Sequence, residues 1–187
     1  MERVSISDVK ALARQLGREP RGRIAVARRC GYGYPQLLRV HPVVDGKPFP
    51  TLYWLTCPFL REAIDRLEAD GWIRRVEDRL AQDRTFAGQL DEARRSYVEE
   101  RLALLSKGES EDLSSRGMLA ALSERGIGGI AEPRGVKCLH LHAAHELASA
   151  NPIGALVVGL VARLECAPKK VICSTLERVE QIDQINR

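Results

Sequence analysis

The sequence predicts an α+β protein in which a small antiparallel sheet in the N-terminal half packs against a mostly helical C-terminal half. Between residues 23 and 76, short segments rich in β-branched and aromatic residues alternate with glycine and proline, which is typical of strands joined by turns. After residue 76, apolar residues recur mainly at helical spacing. Ile153–Cys166 is apolar nearly all round, which favours a buried helix at the centre of the domain.

The N-terminal elements are predicted from their end signals. Ser7–Leu16 has the pattern of an amphipathic helix that Ser5 or Ser7 caps and Gly17 ends. A second helix, Phe59–Asp70, has Thr56 as its predicted cap and Gly71 as its stop. The predicted sheet is built from the apolar segment Ile24–Ala27, the strand Gln36–Val44, the hairpin turn Asp45–Lys47, the strand Thr51–Thr56 and a short strand Trp72–Val76.

The C-terminal half is predicted to be helical with interruptions. Residues 77–107 are highly charged and are expected to form one long helix, or two with a bend near Gly88. Lys107–Arg116 is polar and is predicted to be a mobile loop, and a short helix follows at Gly117–Arg125. Val136–Ala150 contains neither proline nor glycine and is predicted to be a helix.

Composition and charge limit the class of protein. With 187 residues, 44% of them hydrophobic, we expect one globular domain, residues 1–173, and a polar helical tail, residues 174–187. A net charge of +4 permits contact with nucleic acid without establishing it. The first residues lack the apolar core of a secretory signal, and the longest apolar run is too short to cross a bilayer. We therefore expect a cytoplasmic protein that makes no membrane contact. The odd number of cysteines, five, does not indicate a disulfide framework.

The most informative stretch is Gly135–Gly154, which holds three of the four histidines. On a helix, Cys138, His142 and His145 share a narrow arc, and His140 points to the far side. If the start of the stretch is extended, Cys138 aligns with His140 and His142 instead. Cys138 and His142 share a face under either assignment. Thiolates and imidazoles are ligands that zinc prefers, so the stretch predicts a metal site.

Two further cysteines complete the candidate metal or redox site. Cys57 precedes a predicted helix, whose N-terminal amides and dipole favour a thiolate. Cys30 precedes a glycine-rich turn, which permits close approach of the backbone to a ligand. Three thiolates with a histidine suit zinc or an iron–sulfur cluster, provided that they meet in one pocket. Cys166 and Cys173 are interpreted as structural residues. The candidate metal ligands are Cys30, Cys57, Cys138, His140 and His142.

Three groups of motifs resemble an uncharacterised bacterial family catalogued as domain of unknown function 501. They are RRCGYGYPQLL, PFPTLYWLTCP, and the set GIGGI, VKCLHLHAAHELA and NPIG. The likeness runs from Arg21 to Leu160. It implies no reaction and no cofactor, because none is established for the family. It does imply that the five candidate metal ligands lie in signature motifs.

Binding of an anion is an alternative function. The candidate surface consists of Arg28, Arg29, Tyr32 and Tyr34, which combine positive charge with aromatic rings for a small anionic ligand or nucleic acid. Residues 56–76 have the shape of a winged-helix segment, although their acidic residues would repel phosphate.

A third hypothesis is an enzyme in which Cys57 or Cys138 is the nucleophile and His140 or His142 is the base. The sequence alone cannot place these residues together. The fourth hypothesis is an interaction module. In that case the charged helix 77–107 or the tail 174–187 would hold a protein partner or a second copy of the chain.

Overall fold

The computed structural model describes residues 2–132 and 135–176, and it confirms the α+β class. Strands occupy the N-terminal third of the chain and helices dominate the rest. The strands are β1 (Glu2–Arg3), β2 (Ile24–Arg29), β3 (Pro35–Val40), β4 (Val43–Val44), β5 (Lys47–Pro48) and β6 (Tyr53–Leu55). The helices are α1 (Ile6–Leu16), α2 (Pro58–Ala69), α3 (Trp72–Gln82), α4 (Arg84–Leu102), α5 (Lys107–Ser115), α6 (Ala120–Ser123), α7 (Leu139–Ala148) and α8 (Pro152–Leu160).

The main sheet is antiparallel throughout, with the strand order β1-β2-β3-β6. Leu38 of β3 pairs with Val26 on one side and with Trp54 on the other, so the central strand is apolar and almost completely buried. Strands β4 and β5 form a separate hairpin. Its turn places Asp45 at φ 51° and Gly46 at φ 70°, the two positive values that a tight two-residue turn requires.

Helix α7 lies at the centre of the domain, where it contacts α8, β6 and α2. Its residues Leu139, Ala143 and Ala144 are buried, as are Ile153 and Val157 of α8. The two helices cross closely because Gly154 has no side chain: a Cβ there would collide with the carbonyl oxygen of His142. On the opposite face of the sheet, α1 packs a smaller cluster against β2 and β3.

A buried arginine joins α4 to the irregular chain around it. Arg101 is fully buried, and its Nη1 donates hydrogen bonds to the carbonyls of Pro50 at 2.8 Å and Gly126 at 3.2 Å. Its Nη2 donates to the carbonyls of Leu122 and Arg125. The guanidinium thus satisfies four backbone oxygens that have no sheet or long helix to pair with.

Two elements differ in type from their sequence-based prediction. Trp72–Val76 is not a strand but the first half of α3, because Ile73, Val76 and Leu80 continue a helical stripe to Gln82. Lys107–Arg116 is not a loop. It contains α5, which begins with a reciprocal cap between Ser106 and Glu109 and is anchored by buried Leu113.

Three boundaries also move. The break in the charged region lies at Asp83, whose side chain accepts from the Phe86 N–H at 2.9 Å, and Gly88 is inside α4. Helix α7 begins at Leu139 because Cys138 is extended, with φ −162° and ψ 153°. Helix α8 ends at Leu160, so the predicted helix Ile153–Cys166 is too long at its C-terminus.

The predicted tail falls mostly beyond residue 176 and so outside the described residues. None of the helices within 2–132 and 135–176 combines the length and the apolarity that a bilayer crossing needs.

The crossing of α7 and α8 generates a prediction with an internal control. Gly154→Ala should lower the free energy of unfolding by about 2 kcal/mol or more, because the added methyl overlaps the His142 carbonyl. Gly159→Ala, in the same helix but with open space around its Cβ position, should leave stability unchanged or raise it by up to about 1 kcal/mol. Denaturant unfolding measures both. Equal effects at the two positions would contradict the close crossing.

Candidate functional site

The candidate site lies where the N-terminus of α7 meets one face of α2. Glu68, Cys138 and His140 each present one metal-ligand atom there, and these atoms all lie within 4.8 Å of one another. Within residues 2–132 and 135–176, no other set of three or more histidine, cysteine, aspartate or glutamate side chains brings its ligand atoms this close together. The three side chains are half-buried, so solvent reaches the cluster.

Helix geometry brings the carboxylate to the cluster. Arg61, Asp65 and Glu68 follow one another at helical spacing, so they share one face of α2. The Oε1 atom of Glu68 accepts from the Leu139 N–H at 2.6 Å and lies 3.1 Å from Nδ1 of His140. It therefore satisfies a free amide at the start of α7, a position where the helix dipole favours negative charge.

The imidazole of His140 is held at both of its nitrogens. Nε2 lies 3.2 Å from the Arg61 carbonyl and 3.4 Å from Oδ1 of Asp65. Burial by itself would lower the pKa of His140. Hydrogen bonds to Cys138 and the Arg61 carbonyl, together with the charge of Glu68, instead raise the pKa to about 9. At neutral pH this histidine is a cation beside Glu68 and Cys138.

A cavity of about 390 Å³ opens beside the cluster. Cys138 and His140 form part of its wall, and Arg61 and Asp65 contribute opposite charges. The rest of the lining is mainly apolar and comes from β6 and the chain before it. Its volume is in the range of pockets that hold small molecules.

Cys30 and Cys57 lie elsewhere, beside the start of β3. The Cys57 amide donates to the Gln36 carbonyl at 3.4 Å, and the Cys30 amide donates to the Tyr34 carbonyl at 3.0 Å. Burial raises the pKa of the Cys57 thiol, and the neighbouring Cys166 and Cys30 thiols add to the effect. These two predicted ligands therefore have other cysteines as neighbours, and the structure separates them from the Cys138 cluster.

His142 lies at a third location, where it forms a buried pair with His145. Its Nδ1 lies 3.3 Å from Oδ1 of Asn151, and that oxygen also accepts from the Gly154 N–H. The amide orientation is thereby fixed, so Nδ2 of Asn151 donates to Nδ1 of His145 at 3.1 Å. Both imidazoles are then neutral. Burial lowers the pKa of each to about 4, with the Asn151 hydrogen bond opposing this at His142.

The residues of the predicted anion surface make internal contacts. Nη1 and Nη2 of Arg29 donate to the two carboxylate oxygens of Asp8 at 2.6 and 2.9 Å. Arg28 donates to the Gln36 side chain at 2.8 Å, and the hydroxyl of Tyr32 donates to the Cys166 carbonyl at 3.1 Å. Tyr34 is also engaged in an interaction. These contacts join the turn after β2 to its surroundings.

The winged-helix shape proposed for residues 56–76 is wrong in its strand, because α3 occupies that position.

Sequence reasoning missed Glu68 as part of the site. In the sequence its carboxylate indicates only a charge that would repel phosphate. The spacing of Arg61, Asp65 and Glu68 along one helix face was the available signal, but nothing in the sequence says which element that face meets. The sequence indicates only a structural role for Cys166 and Cys173, and their position beside Cys30 and Cys57 depends wholly on the fold.

The buried histidine pair generates a pH prediction. In the unfolded chain each imidazole takes up a proton near pH 6.5, whereas in the folded protein it does so only near pH 4. The free energy of unfolding should therefore fall as the pH is lowered from 6.5 to 5, by up to about 1.4 kcal/mol per pH unit for each histidine.

Urea unfolding of metal-free protein at several pH values measures this loss. His145→Gln should reduce the slope by one proton. His140→Gln should not remove the acid loss, because a raised pKa contributes stability that is complete below pH 6.5 and is lost toward pH 9. A wild-type stability that stays constant from pH 6.5 to 5 would exclude two buried neutral imidazoles.

Comparison with known proteins gives a family and no function. No curated protein and no solved structure matches the chain. A family match covers residues 26–159, which include most of β2, all of β3 to α7 and most of α8. Because this is well over half of the 187 residues, the chain belongs to the family described as protein of unknown function (DUF501).

Proposed function

We propose that this protein binds a divalent metal ion of the zinc type through Glu68, Cys138 and His140. The supporting observation is the spacing of three different ligand groups, from two elements that are far apart in sequence, within 4.8 Å of one another. A carboxylate, a thiolate and an imidazole are all ligands that zinc accepts in proteins. Magnesium and calcium would instead prefer an all-oxygen set.

The proton on His140 sets the conditions for binding. A ligand imidazole must be neutral and a ligand thiol must be ionised. With the pKa of His140 at about 9, an ion has to displace that proton at neutral pH, and it also replaces the positive charge that Glu68 otherwise pairs with. Zinc binding should therefore strengthen as the pH rises.

Three protein ligands distinguish this arrangement from a closed structural site. Structural zinc has four protein ligands, whereas catalytic zinc keeps one position for water or substrate. Cys138 and His140 line the 390 Å³ cavity, so a fourth position on that side would be reached from it. A bound ion would supply Lewis-acid chemistry there. The Arg61 guanidinium in the same wall favours a small substrate with an anionic group. We take metal-assisted hydrolysis as the reaction class that these features support best.

Zinc uptake by metal-free, untagged protein tests the proposal. Cys138→Ser and His140→Gln should each abolish one equivalent of bound zinc, or weaken its binding by about a hundredfold, because two remaining ligands hold zinc poorly. Glu68→Gln should weaken binding about tenfold or more. Competition with a chromogenic chelator gives the stoichiometry and the dissociation constant.

The matched control is His41→Gln. The Nε2 atom of His41 lies 3.0 Å from Oε1 of Glu109, so it forms a histidine–glutamate pair away from the proposed ligands. This variant should bind zinc as the wild type does. The proposal fails if Cys138→Ser and His140→Gln also bind as much zinc as the wild type, with the same affinity.

A thiol enzyme is the second candidate, and one observation favours it. His140 interacts with both Cys138 and Glu68, which is the set of groups in a cysteine–histidine–acid arrangement. However, Nε2 of His140 already faces the Arg61 carbonyl and Asp65. Rapid alkylation of Cys138 by iodoacetamide, slowed strongly in His140→Gln and unaffected by zinc, would favour this candidate over the metal site.

A further inference from the structure

The four cysteines outside the candidate site are tied to one short stretch of chain. This stretch, residues 30–36, consists of the turn between β2 and β3 and the first two residues of β3, and it will be called the β2–β3 turn. Cys30 lies at its start, where its amide donates to the Tyr34 carbonyl. Cys57 follows β6, and its amide donates to the Gln36 carbonyl. The Cys166 carbonyl accepts from the Tyr32 hydroxyl at 3.1 Å.

Cys173 reaches the same turn through a glutamine. Nε2 of Gln15 lies 3.3 Å from the Cys173 sulfur and donates to the Pro35 carbonyl at 2.9 Å. Two further bonds fix the chain just before Cys166: Gly31 N–H donates to Glu165 at 2.8 Å, and the Gln36 side chain donates to the Leu164 carbonyl at 2.8 Å. Four cysteines from three distant parts of the sequence thus converge on one turn.

The chain after α8 has little else to hold it. Residues 161–171 contain no helix or strand, the chain is helical again from Ile172, and the two buried residues within 161–173 are Cys166 and Cys173. A mostly irregular segment whose buried residues are a pair of cysteines is typical of chain that a metal ion fixes in place.

The four cysteines are also close enough to interact electrostatically. Burial raises the pKa of Cys173 to about 11, and the Cys57, Cys30 and Cys166 thiols contribute to the rise, while the Gln15 hydrogen bond opposes it. At Cys57, the Leu60 and Phe59 amides at the start of α2 act in the other direction and favour the thiolate. Thiols that lie near one another become stable thiolates when a divalent cation is bound among them.

From this convergence we infer that Cys30, Cys57, Cys166 and Cys173 form a four-thiolate zinc site that attaches residues 161–173 to the β2–β3 turn. Each cysteine loses its thiol proton to solvent and donates one sulfur to the ion. Four thiolates complete a tetrahedral shell, so this site is closed and structural, unlike the three-ligand cluster at α7. The two sites share no residue and are independent of each other.

Closure requires a local adjustment of the side chains. Tetrahedral zinc with bonds of about 2.3 Å holds its sulfurs about 3.8 Å apart. Within 2–132 and 135–176, the groups of three or more ligands whose atoms lie within 4.8 Å do not include these cysteines. Rotation of the thiols about χ1 and tightening of the 161–173 segment would bring them together. Binding should therefore order the segment.

The test uses the full-length Cys138→Ser protein, so that zinc at the α7 cluster does not contribute. This protein should retain one equivalent of zinc, measured by elemental analysis after dialysis. Adding Cys166→Ala or Cys173→Ala should abolish it. Cys173→His should keep it, because three thiolates and an imidazole also hold structural zinc. Cobalt substitution of the same protein should give the intense thiolate-to-metal absorption of a four-sulfur site.

Proteolysis provides a readout that does not depend on the variants. Lys169 and Lys170 are exposed and lie between the two cysteines of the segment. Removing zinc from the wild-type protein with a chelator should accelerate tryptic cleavage there by roughly tenfold, and added zinc should reverse the effect. Cleavage elsewhere in the domain serves as the internal control.

Several results would overturn the inference. The first is protein without bound zinc in which all four thiols react with a disulfide reagent whether or not zinc is added. The second is the presence of disulfides among these cysteines. The third is the visible absorbance of an iron–sulfur cluster. Loss of the α7 site would leave this inference standing, because its zinc equivalent is measured in the absence of Cys138.

Discussion

The satisfaction of buried backbone carbonyls by two polar side chains is the constraint on which this fold depends. Some of the chain between the regular elements runs through the interior, including Leu52 and Ile127, and there an unpaired carbonyl is costly. Arg101 reaches the carbonyls of Pro50, Leu122, Arg125 and Gly126. Gln36 accepts at its own carbonyl from the amides of Thr56 and Cys57, and its side chain donates to Leu164. Arg101 therefore joins α4 to two irregular segments, and Gln36 joins the chain after β6 and the chain after α8 to the start of β3.

The positions of the candidate sites follow from this arrangement. Gln36 fixes the β2–β3 turn, the start of α2 and the chain after α8 relative to one another, and all four of the converging cysteines lie in or beside those segments. Once the start of α2 is fixed, the face that carries Glu68 is directed at the first turn of α7. The two proposed metal sites thus lie near opposite ends of α2. One is enclosed by irregular chain and the other opens to a cavity.

Several elements could be predicted from sequence because their signals are local. The cap at Ser5, the stop at Gly17, the turn at Asp45–Gly46 and the pairing of the strands on either side of it are all present. The errors arose where a short pattern fitted two structures. WIRRV alternates like a strand, yet its apolar positions also begin a helical stripe, and packing against α4 decides between them. Lys107–Ser115 has only one buried residue, Leu113, too weak a pattern to predict a helix from hydrophobicity alone.

By itself the sequence determined the fold class, the family and the residue types capable of binding a metal. It left open whether Cys138 and His140 share a face, since that depends on whether the start of the stretch is helical or extended, and in the structure Cys138 is extended. The tertiary structure alone decided how the cysteines and histidines are grouped, because each group is formed by segments that meet only after long loops close. It placed Cys138 and His140 with Glu68, placed Cys30 and Cys57 with Cys166 and Cys173, and enclosed His142 with His145 and Asn151. A one-dimensional pattern records which side chains share a face of one element, but the face that lies opposite is set by packing.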